Sequence, residues 1–289
     1  MNAIPNSHGY PKPIGPWERR LQQGVVRLIR EDEMRSWIVR DDAEILAVNK
    51  PGDVVCHPSK DGPWSSLSGA VRAYRGEGAA HLVFRLDRET SGLVIFAKSP
   101  ATARRLQMAA QERRYEKGYR AIVWGELREP VFIDQPLGPD RASPVLVKSC
   151  VTLDGSGQPA RTRVVPLSWN HGFTLVAVQT ETGRKHQIRA HLQWLGHPIV
   201  GDKIYGPDAR LFLTFIEHGW TPELAARLLL PRQALHCRMI DLSKAGIAWR
   251  EEVPLAPDLQ DFCRIHGLRE HLPHGEDDAA TQGDLRDRK

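Results

Sequence analysis

The chain has 289 residues, of which 41% are hydrophobic and 26% charged, and this composition is typical of a globular protein with a hydrophobic core. Its formal net charge of +5 favours an anionic partner such as nucleic acid without identifying one. No run of about 18 apolar residues exists, which excludes a membrane-spanning helix.

The cysteines and histidines do not show the spacing of a metal site. The four cysteines lie far apart and form no C-x-x-C pair, which argues against a zinc ribbon or a small disulfide scaffold. His186, His191 and His197 lack the i, i+4 spacing of a helical metal pair, so no metal is predicted. Because no secretory signal is recognisable, we expect reduced thiols and a cytoplasmic location.

Both ends of the chain differ from its middle. Residues 1–20 hold four prolines and little periodicity, and we expect residues 1–42 to form an extended arm. Residues 269–289 are polar and almost without large apolar side chains, which predicts a disordered tail. A single domain is expected between them, at 43–268.

Within that domain, short apolar runs bounded by Gly, Pro, Asp and Asn predict more strands than helices. The predicted strands are 43–51, 81–87, 92–98, 119–127 and 173–180. The predicted helices are 99–112, 184–198 and 221–230, the first with Ser99 as N-cap and the last with Thr221. The pattern predicts an α+β fold with a mixed, largely antiparallel sheet flanked by helices.

The stretch HLVFRLDRETSGLVIFAK, residues 81–98, combines two apolar runs with a polar turn and predicts a β-hairpin. Arg85 and Asp87 are two apart on its first strand, so their side chains are expected on one face, while Phe84 faces the core. Asp87 would thus be held by a scaffold yet face outward, as a reactive carboxylate should be. The same pattern is also typical of a surface ion pair or a turn aspartate, and the hairpin alone does not decide.

The helix predicted at 184–198 carries several basic residues. Lys185, Arg189 and Gln193 repeat every four residues and are expected to share a polar face. A solvated basic helix surface would give the same pattern, so this face alone does not identify a site.

Five motifs follow one another along residues 43–240. They are LAVNKPGDVVCHPS (46–59), FRLDRETSGLVIFAK (84–98), EKGYRAIVWGEL (116–127), TETGRKHQIRAHLQWLGHPIVGDKIYG (180–206) and RQALHCRMI (232–240). In type and order they closely resemble the motifs of the RluA-type family of RNA pseudouridine synthases. The resemblance implies the pseudouridine synthase fold and the isomerisation of a uridine in structured rRNA or tRNA.

The resemblance also implies roles for individual residues. Asp87 matches the essential carboxylate of the family, Arg189 the arginine that pairs with it, and Tyr119 the tyrosine expected against the uracil ring. Asp87 would either attack the substrate or remove a proton from the sugar, and both routes stay open. The reaction is an isomerisation, so no cofactor is expected.

Further residues are implied to bind RNA or to shape the site. Arg85 matches the residue expected to enter the RNA stack when the uridine flips out, and Ile188 would pack against the flipped base. Basic side chains expected to contact phosphates are Arg88, Arg184 and Lys185. Lys50 and Pro51 are expected to form the floor of the site, with Lys50 bonded to backbone.

The chain departs from the family pattern in three places. Phe84 stands where the family has histidine, which leaves the catalytic positions untouched. We expect no separate N-terminal RNA-binding domain of the kind that many relatives carry. Residues 207–231 predict a helical elaboration that would contribute to the choice of RNA.

Two other functions stay open. A catalytically inactive RNA-binding or chaperone protein on the same fold would not need Asp87, Tyr119 and Arg189 together. A hydrolase would cleave the glycosidic bond and release free uracil. For the synthase, RNA is the expected partner, with no membrane, no obligate protein partner and a monomeric state.

Overall fold

The computed structural model describes residues 27–58, 62–76, 78 and 80–270. Its strands are β1 Ile38–Asp41, β2 Ile45–Lys50, β3 His81–Leu82, β4 Ser91–Ala97, β5 Glu116–Trp124, β6 Val131–Asp134, β7 Leu137–Pro139, β8 Ser149–Val151, β9 Arg161–Asn170, β10 Phe173–Thr180, β11 Leu235–Asp241 and β12 Arg250–Glu252. Its α-helices are α1 Glu31–Ser36, α2 Leu67–Arg75, α3 Pro100–Gln111, α4 Gln187–Trp194, α5 Arg210–His218, α6 Pro222–Leu228 and α7 Pro257–Ile265.

One large sheet organises the described part of the chain. Its strand order is β1-β2-β4-β11-β5-β10-β9-β6, with β3 paired to β4 and β12 to β11, while β7 and β8 form a separate small ribbon. The pair β4–β11 is parallel, and the other pairs found in the large sheet are antiparallel. This arrangement confirms the predicted α+β fold with a mixed, largely antiparallel sheet.

The central strands are buried on both faces. All seven residues of β4 are buried, because alternate side chains enter two different cores. Leu93 and Ile95 join the larger core, to which α3, α4 and α7 contribute, whereas Val94 and Phe96 join a smaller core with α1 and α2. A continuous apolar run such as GLVIFA is therefore what a strand between two helical layers requires.

Two helices begin where the sequence predicts. The hydroxyl of Ser99 accepts a hydrogen bond from the amide of Thr102 at 3.1 Å, with Pro100 in the first helical position of α3. The hydroxyl of Thr221 accepts one from the amide of Leu224 at 3.3 Å and so caps α6. The helices α5 and α6 also confirm the helical elaboration predicted at 207–231.

The structure corrects the boundaries of the predicted arm and tail. Residues 31–41, assigned to the arm, form α1 and β1, because buried Met34 packs in the smaller core and β1 pairs with β2. At the other end, the Arg269 carbonyl accepts a hydrogen bond from Ser168, and Glu270 pairs with Arg238. The rest of the predicted arm and tail, residues 1–26 and 271–289, lies outside the described residues.

The structure also corrects two predicted elements near the expected site. Strand β3 ends at Leu82, five residues before Asp87, so Arg85 and Asp87 do not lie on a regular strand. Helix α4 begins at Gln187 rather than at residue 184, because His186 has a left-handed backbone with φ of 56°. None of the described helices has the length and apolar character needed to cross a membrane.

Candidate active site

Asp87 lies on the irregular segment that connects β3 to β4. The Cys56 thiol donates to the carbonyl of Leu86 and accepts from its amide, at 3.4 Å each. One residue beyond Asp87, the carbonyl of Arg88 accepts a hydrogen bond from Lys50. These contacts fix the backbone on both sides of Asp87, so the carboxylate is held in place without a regular strand.

Lys50 is fully buried and binds only backbone oxygens. Its ammonium donates to the carbonyls of Pro51 and Val54 at 2.9 Å and of Arg88 at 3.0 Å. Burial lowers the pKa of Lys50 to about 8. Lys50 thus joins the loop that begins at Pro51 to the turn after Asp87, and its bonds go to backbone as predicted.

We expect Lys50→Met to lower the free energy of unfolding by about 2 kcal/mol or more, because three carbonyls, one of them deeply buried, lose their donor. Guanidinium unfolding of the purified variant would measure the loss. Lys185→Met, at an exposed position, is the matched control and should stay within about 0.5 kcal/mol of the wild type. An unchanged midpoint for Lys50→Met would contradict the structural role.

A glycine brings Tyr119 toward the same segment. Gly92 has φ of 109°, and a Cβ there would lie 2.2 Å from the carbonyl oxygen of Cys237. Only glycine therefore permits the parallel contact between β4 and β11. On the other side of β11, Cys237 pairs with Tyr119 of β5, so one strand separates Tyr119 from the start of β4.

Arg189 reaches Asp87 from the first turn of α4. The start of this helix is fixed by Gln187, whose amide donates to the Arg161 carbonyl at 2.8 Å and to the Thr162 hydroxyl at 2.9 Å. Farther along, His191 contacts the Thr162 hydroxyl at 2.8 Å, which gives this histidine a structural partner in β9. The helix is thus positioned by β9, and its arginine points toward the cavity.

Arg189 lies between two carboxylates. Its Nη1 donates to Oδ2 of Asp87 at 2.8 Å, while Nε and Nη2 donate to both oxygens of Asp202 at 2.7 and 2.9 Å. Asp202 is fully buried and accepts two further bonds from the amides of Ile204 and Tyr205, each 3.0 Å long. The bidentate pair fixes the guanidinium in one orientation and directs its remaining edge at Asp87.

The charges in this network control the pKa of Asp87. Burial alone would raise that pKa, but the guanidinium of Arg189 outweighs burial and lowers it below the ordinary aspartate value. The same balance lowers the pKa of Asp202. Burial would lower the pKa of Arg189, yet its two carboxylates raise it. Asp87 is therefore ionised at neutral pH beside a permanent cation.

A cavity of about 130 Å³ opens in front of Asp87. Its lining includes the predicted residues Arg85, Asp87, Tyr119, Arg184, Ile188 and Arg189. It continues into a wider groove of about 630 Å³, which Arg88 and Lys185 line together with Arg85, Asp87 and Arg184. The structure thus brings together all the predicted catalytic and RNA-binding residues, whereas Lys50 and Pro51 line neither the cavity nor the groove.

The predicted polar face of the helix is wrong. Arg189 is 5% exposed and points inward at its two carboxylates, while Lys185 precedes the helix and is exposed. By contrast, Arg85 is exposed and has no hydrogen bond or ion pair among the residues described. Its guanidinium is available for a partner outside the chain.

The aromatic neighbours of Lys117 explain how Phe84 is accommodated. The Phe84 and Tyr115 rings lie 4.5 Å apart between centroids, and the ammonium of Lys117 lies 5.0 Å from the Phe84 ring. The same ammonium lies 5.8 Å from the ring of Tyr119. Phe84 therefore packs beside Tyr115 and Lys117 where these residues line the groove.

Three residues close to Asp87 or Arg189 have no role predicted from the sequence. Asp202 and Tyr205 belong to the matched motif G-D-K-I-Y-G, and His186 belongs to G-R-K-H-Q-I-R. Nε2 of His186 lies 3.9 Å from Oδ2 of Asp87, and Tyr205 stacks on Arg189 with 4.8 Å between Cζ and the ring centroid. Within the described ranges, no cluster of potential ligands is suited to a metal ion.

A family model described as RNA pseudouridylate synthase matches residues 44–194. The chain is 38% identical over 225 residues to an uncharacterized RNA pseudouridine synthase of Chloroflexus aurantiacus, across 75% of this chain and 65% of the relative. It is 34% identical over 223 residues to ribosomal large subunit pseudouridine synthase D of Vibrio vulnificus, across 73% and 66% of the two chains. These two matches span just under two thirds of the relatives. The uncharacterized RNA pseudouridine synthase YhcT of Bacillus subtilis is 30% identical over 239 residues, across 79% and 72%.

Solved structures agree with the sequence comparison. Human RNA pseudouridylate synthase domain containing 1 superposes with a TM-score of 0.61 at 26% identity, covering 77% of this chain and 85% of that one. Human RNA pseudouridylate synthase domain containing 4 gives a TM-score of 0.66 at 24% identity over 83% and 97%, and supports the fold alone. The matched segment contains the hairpin with Asp87, the strand with Tyr119 and the helix with Arg189, and the chain therefore belongs to the RNA pseudouridylate synthase family.

Proposed function

We propose that the protein is an RNA pseudouridine synthase that isomerises a specific uridine in a structured RNA. In this reaction the bond between ribose C1′ and uracil N1 breaks, the base turns, and a bond forms from C1′ to C5. The hydrogen on C5 leaves as a proton and N1 gains one, so atoms and charge balance without a cofactor. The observation that carries the proposal is Asp87, held ionised by Arg189 at the base of a cavity that Tyr119 also lines.

The geometry suits either role that a carboxylate can take in this reaction. Nucleophilic attack and proton removal both require the ionised form, and the lowered pKa of Asp87 provides it. Oδ2 of Asp87 faces Arg189, and no hydrogen bond to Oδ1 is found among the described residues. We propose that Oδ1 is the oxygen that meets the substrate.

We propose that the uridine reaches Asp87 by flipping out of the RNA stack. A base inside a helix cannot enter so narrow a cavity, and extrusion exposes it at the cost of its stacking energy. Exposed Arg85, at the entrance, is suited to occupy the space that the base leaves. Inside the cavity, the buried side chains of Tyr119 and Ile188 offer an aromatic and an aliphatic surface to the uracil ring.

The name of the Vibrio relative suggests which RNA to test first. That relative is a ribosomal large subunit synthase, and we propose large-subunit ribosomal RNA as the first candidate substrate, with transfer RNA as the second. The helices α5 and α6 would contribute to the choice between them. We further propose that residues 43–268, together with α1 and β1, form a catalytic unit that acts as a cytoplasmic monomer.

The test is tritium release from RNA labelled at C5 of uridine and isolated from cells that lack the gene. The wild-type protein should release tritium from C5 and leave pseudouridine in the RNA. Free uracil as the product would instead identify a hydrolase. Binding to ribosomal and transfer RNA without tritium release from either would contradict the proposal for those substrates and favour an RNA-binding protein.

We expect the basic side chains along the groove to make RNA affinity depend on salt. Arg88→Gln and Lys185→Gln, both at exposed positions, should each reduce the slope of log K against log salt by about one. Filter binding at four salt concentrations would measure the slope. Arg104→Gln, on the exposed face of α3 and away from the groove, is the matched control and should leave the slope unchanged. Equal slopes for all three variants would contradict this placement of the RNA.

A further inference from the structure

We infer that His186 is a positioning residue, which donates its Nε2–H to Oδ2 of Asp87 in the RNA complex and so directs Oδ1 at the flipped nucleotide. The inference rests on the proposed function and adds to it a residue to which neither the family resemblance nor the comparisons assign a role. Four observations carry it: the partners of the ring, its backbone, its charge state and its distance from Asp87.

The first observation concerns the ring proton of His186. Nδ1 lies 3.0 Å from the hydroxyl oxygen of Tyr205, and that oxygen already accepts the amide of Ser149 at 2.8 Å. The hydroxyl hydrogen of Tyr205 is therefore free to donate to Nδ1. We assign this tautomer from the network, and it leaves the proton of the neutral ring on Nε2, the nitrogen nearer Asp87.

The backbone holds the ring in this place. His186 immediately precedes the first turn of α4, and its backbone has a left-handed conformation with φ of 56°. The ring meets that of Tyr205 edge to face, with centroids 5.6 Å apart. A non-glycine residue in this conformation needs support from its surroundings, and the contact with Tyr205 provides it.

The charge state of His186 suits a donor that does not titrate. Burial and the nearby guanidinium of Arg189 lower its pKa to about 4, whereas Asp87 and Asp202 act in the opposite direction. The ring is therefore neutral at the pH of an assay. A neutral N–H can orient a carboxylate without holding a second positive charge against Arg189.

The distance between the His186 ring and the Asp87 carboxylate shows what must change when RNA binds. Nε2 lies 3.9 Å from Oδ2, too far for a hydrogen bond, although both residues line the same cavity. Catalytic hydrogen bonds are often long before substrate binds and shorten in the complex. A movement of about 1 Å would close this one and give Oδ2 two donors, His186 and Arg189. With both donors on Oδ2, the other oxygen is left to the substrate.

Two substitutions distinguish the role of Nε2 from that of Nδ1. His186→Gln keeps an N–H near the position of Nε2 but loses the defined acceptor for Tyr205. His186→Asn keeps an acceptor near Nδ1, tolerates the left-handed backbone, and cannot reach Asp87. We expect the asparagine variant to lower the maximal single-turnover rate constant on the order of 10²-fold, with the half-saturating concentration within about twofold of the wild type. The glutamine variant should retain most of the activity. A purely structural role predicts the reverse order, because asparagine preserves the contact with Tyr205.

An NMR measurement on the full chain tests the tautomer without any substrate. The ¹⁵N shifts of His186, assigned by their loss in the asparagine variant, should show a neutral ring protonated on Nε2 between pH 6 and pH 8. A ring protonated on Nδ1, or equal rates for the two variants, would overturn the inference. If the wild-type protein releases no tritium from C5, the proposed function fails for that RNA, and the NMR result still decides whether Nε2 carries the proton that the inference requires.

Discussion

Asp87→Asn is expected to abolish turnover while leaving the fold and RNA affinity close to the wild type. The amide has the shape of the carboxylate but neither its charge nor its nucleophilicity or basicity, so kcat/KM should fall on the order of 10³-fold or more. Arg189 retains its bidentate contact with Asp202 in this variant, so the buried cation stays paired. Tritium release under single-turnover conditions would measure the rate, and filter binding the affinity.

The control for this experiment is a carboxylate outside the cavity. Asp261→Asn removes the charge of an exposed side chain that pairs with Arg264 on α7, and its rate should equal that of the wild type. An unchanged rate for Asp87→Asn would exclude the carboxylate from the reaction. A large loss of RNA affinity in that variant, with no effect on the chemical step, would assign Asp87 to binding instead.

Arg189→Gln is expected to remove turnover and also to destabilise the protein. Asp202 would then be a buried carboxylate without its cation, and breaking such a pair lowers the free energy of unfolding by about 3–5 kcal/mol. Asp87 would lose the donor that lowers its pKa. Chemical denaturation and tritium release on the same preparation would measure both losses.

A second substitution separates the two losses. In Arg189→Gln/Asp202→Asn the pair is removed as a unit, so much of the stability should return while turnover stays absent, because Asp87 still lacks its cation. If the double variant is no more stable than Arg189→Gln, the buried pair is not the cause of the destabilisation.

The destabilisation should also depend on pH with a definite sign. In the wild type the pKa of Asp202 is lowered, so its contribution to stability is present at neutral pH and is lost only as the pH falls through that low value. Without Arg189, burial instead raises this pKa, and stability falls as the pH rises above the unfolded aspartate value of about 3.9. The difference in free energy of unfolding between the wild type and Arg189→Gln should therefore be largest near neutral pH and become smaller toward pH 4.

Local patterns in the sequence predict those elements that local interactions determine. The strand at 173–180 is found at the predicted residues, and α3 begins after its predicted cap because Ser99 binds an amide three residues on. The sequence does not predict the end of β3 at Leu82, because the apolar alternation continues through Asp87 whereas the pairing with β4 stops at Leu82. Nor does the sequence predict the start of α4, because that start depends on the left-handed backbone of His186.

The site shows the same division. Motif resemblance identifies Asp87, Tyr119 and Arg189, and the structure places all three around one cavity. The motif resemblance does not predict that Arg189 is buried. Its partner Asp202 lies 13 residues farther along the chain, across a loop, where helical periodicity gives no information. Nor does it predict the relation between His186 and Tyr205, which depends on side chains brought together by the packing of that loop.

The contact at Gly92 has a consequence for when the site can fold during synthesis of the chain. Ser91 meets His236, a residue 145 positions later, and Tyr119 takes its place in the sheet beside β11. Closing so long a segment is slow compared with forming a helix or a hairpin, because its entropy must be lost before the contacts form. The nascent chain thus carries Asp87, Tyr119 and Arg189 well before β11 has left the ribosome. The cavity is completed only when β11 has been synthesised, because Leu235 of that strand lines it.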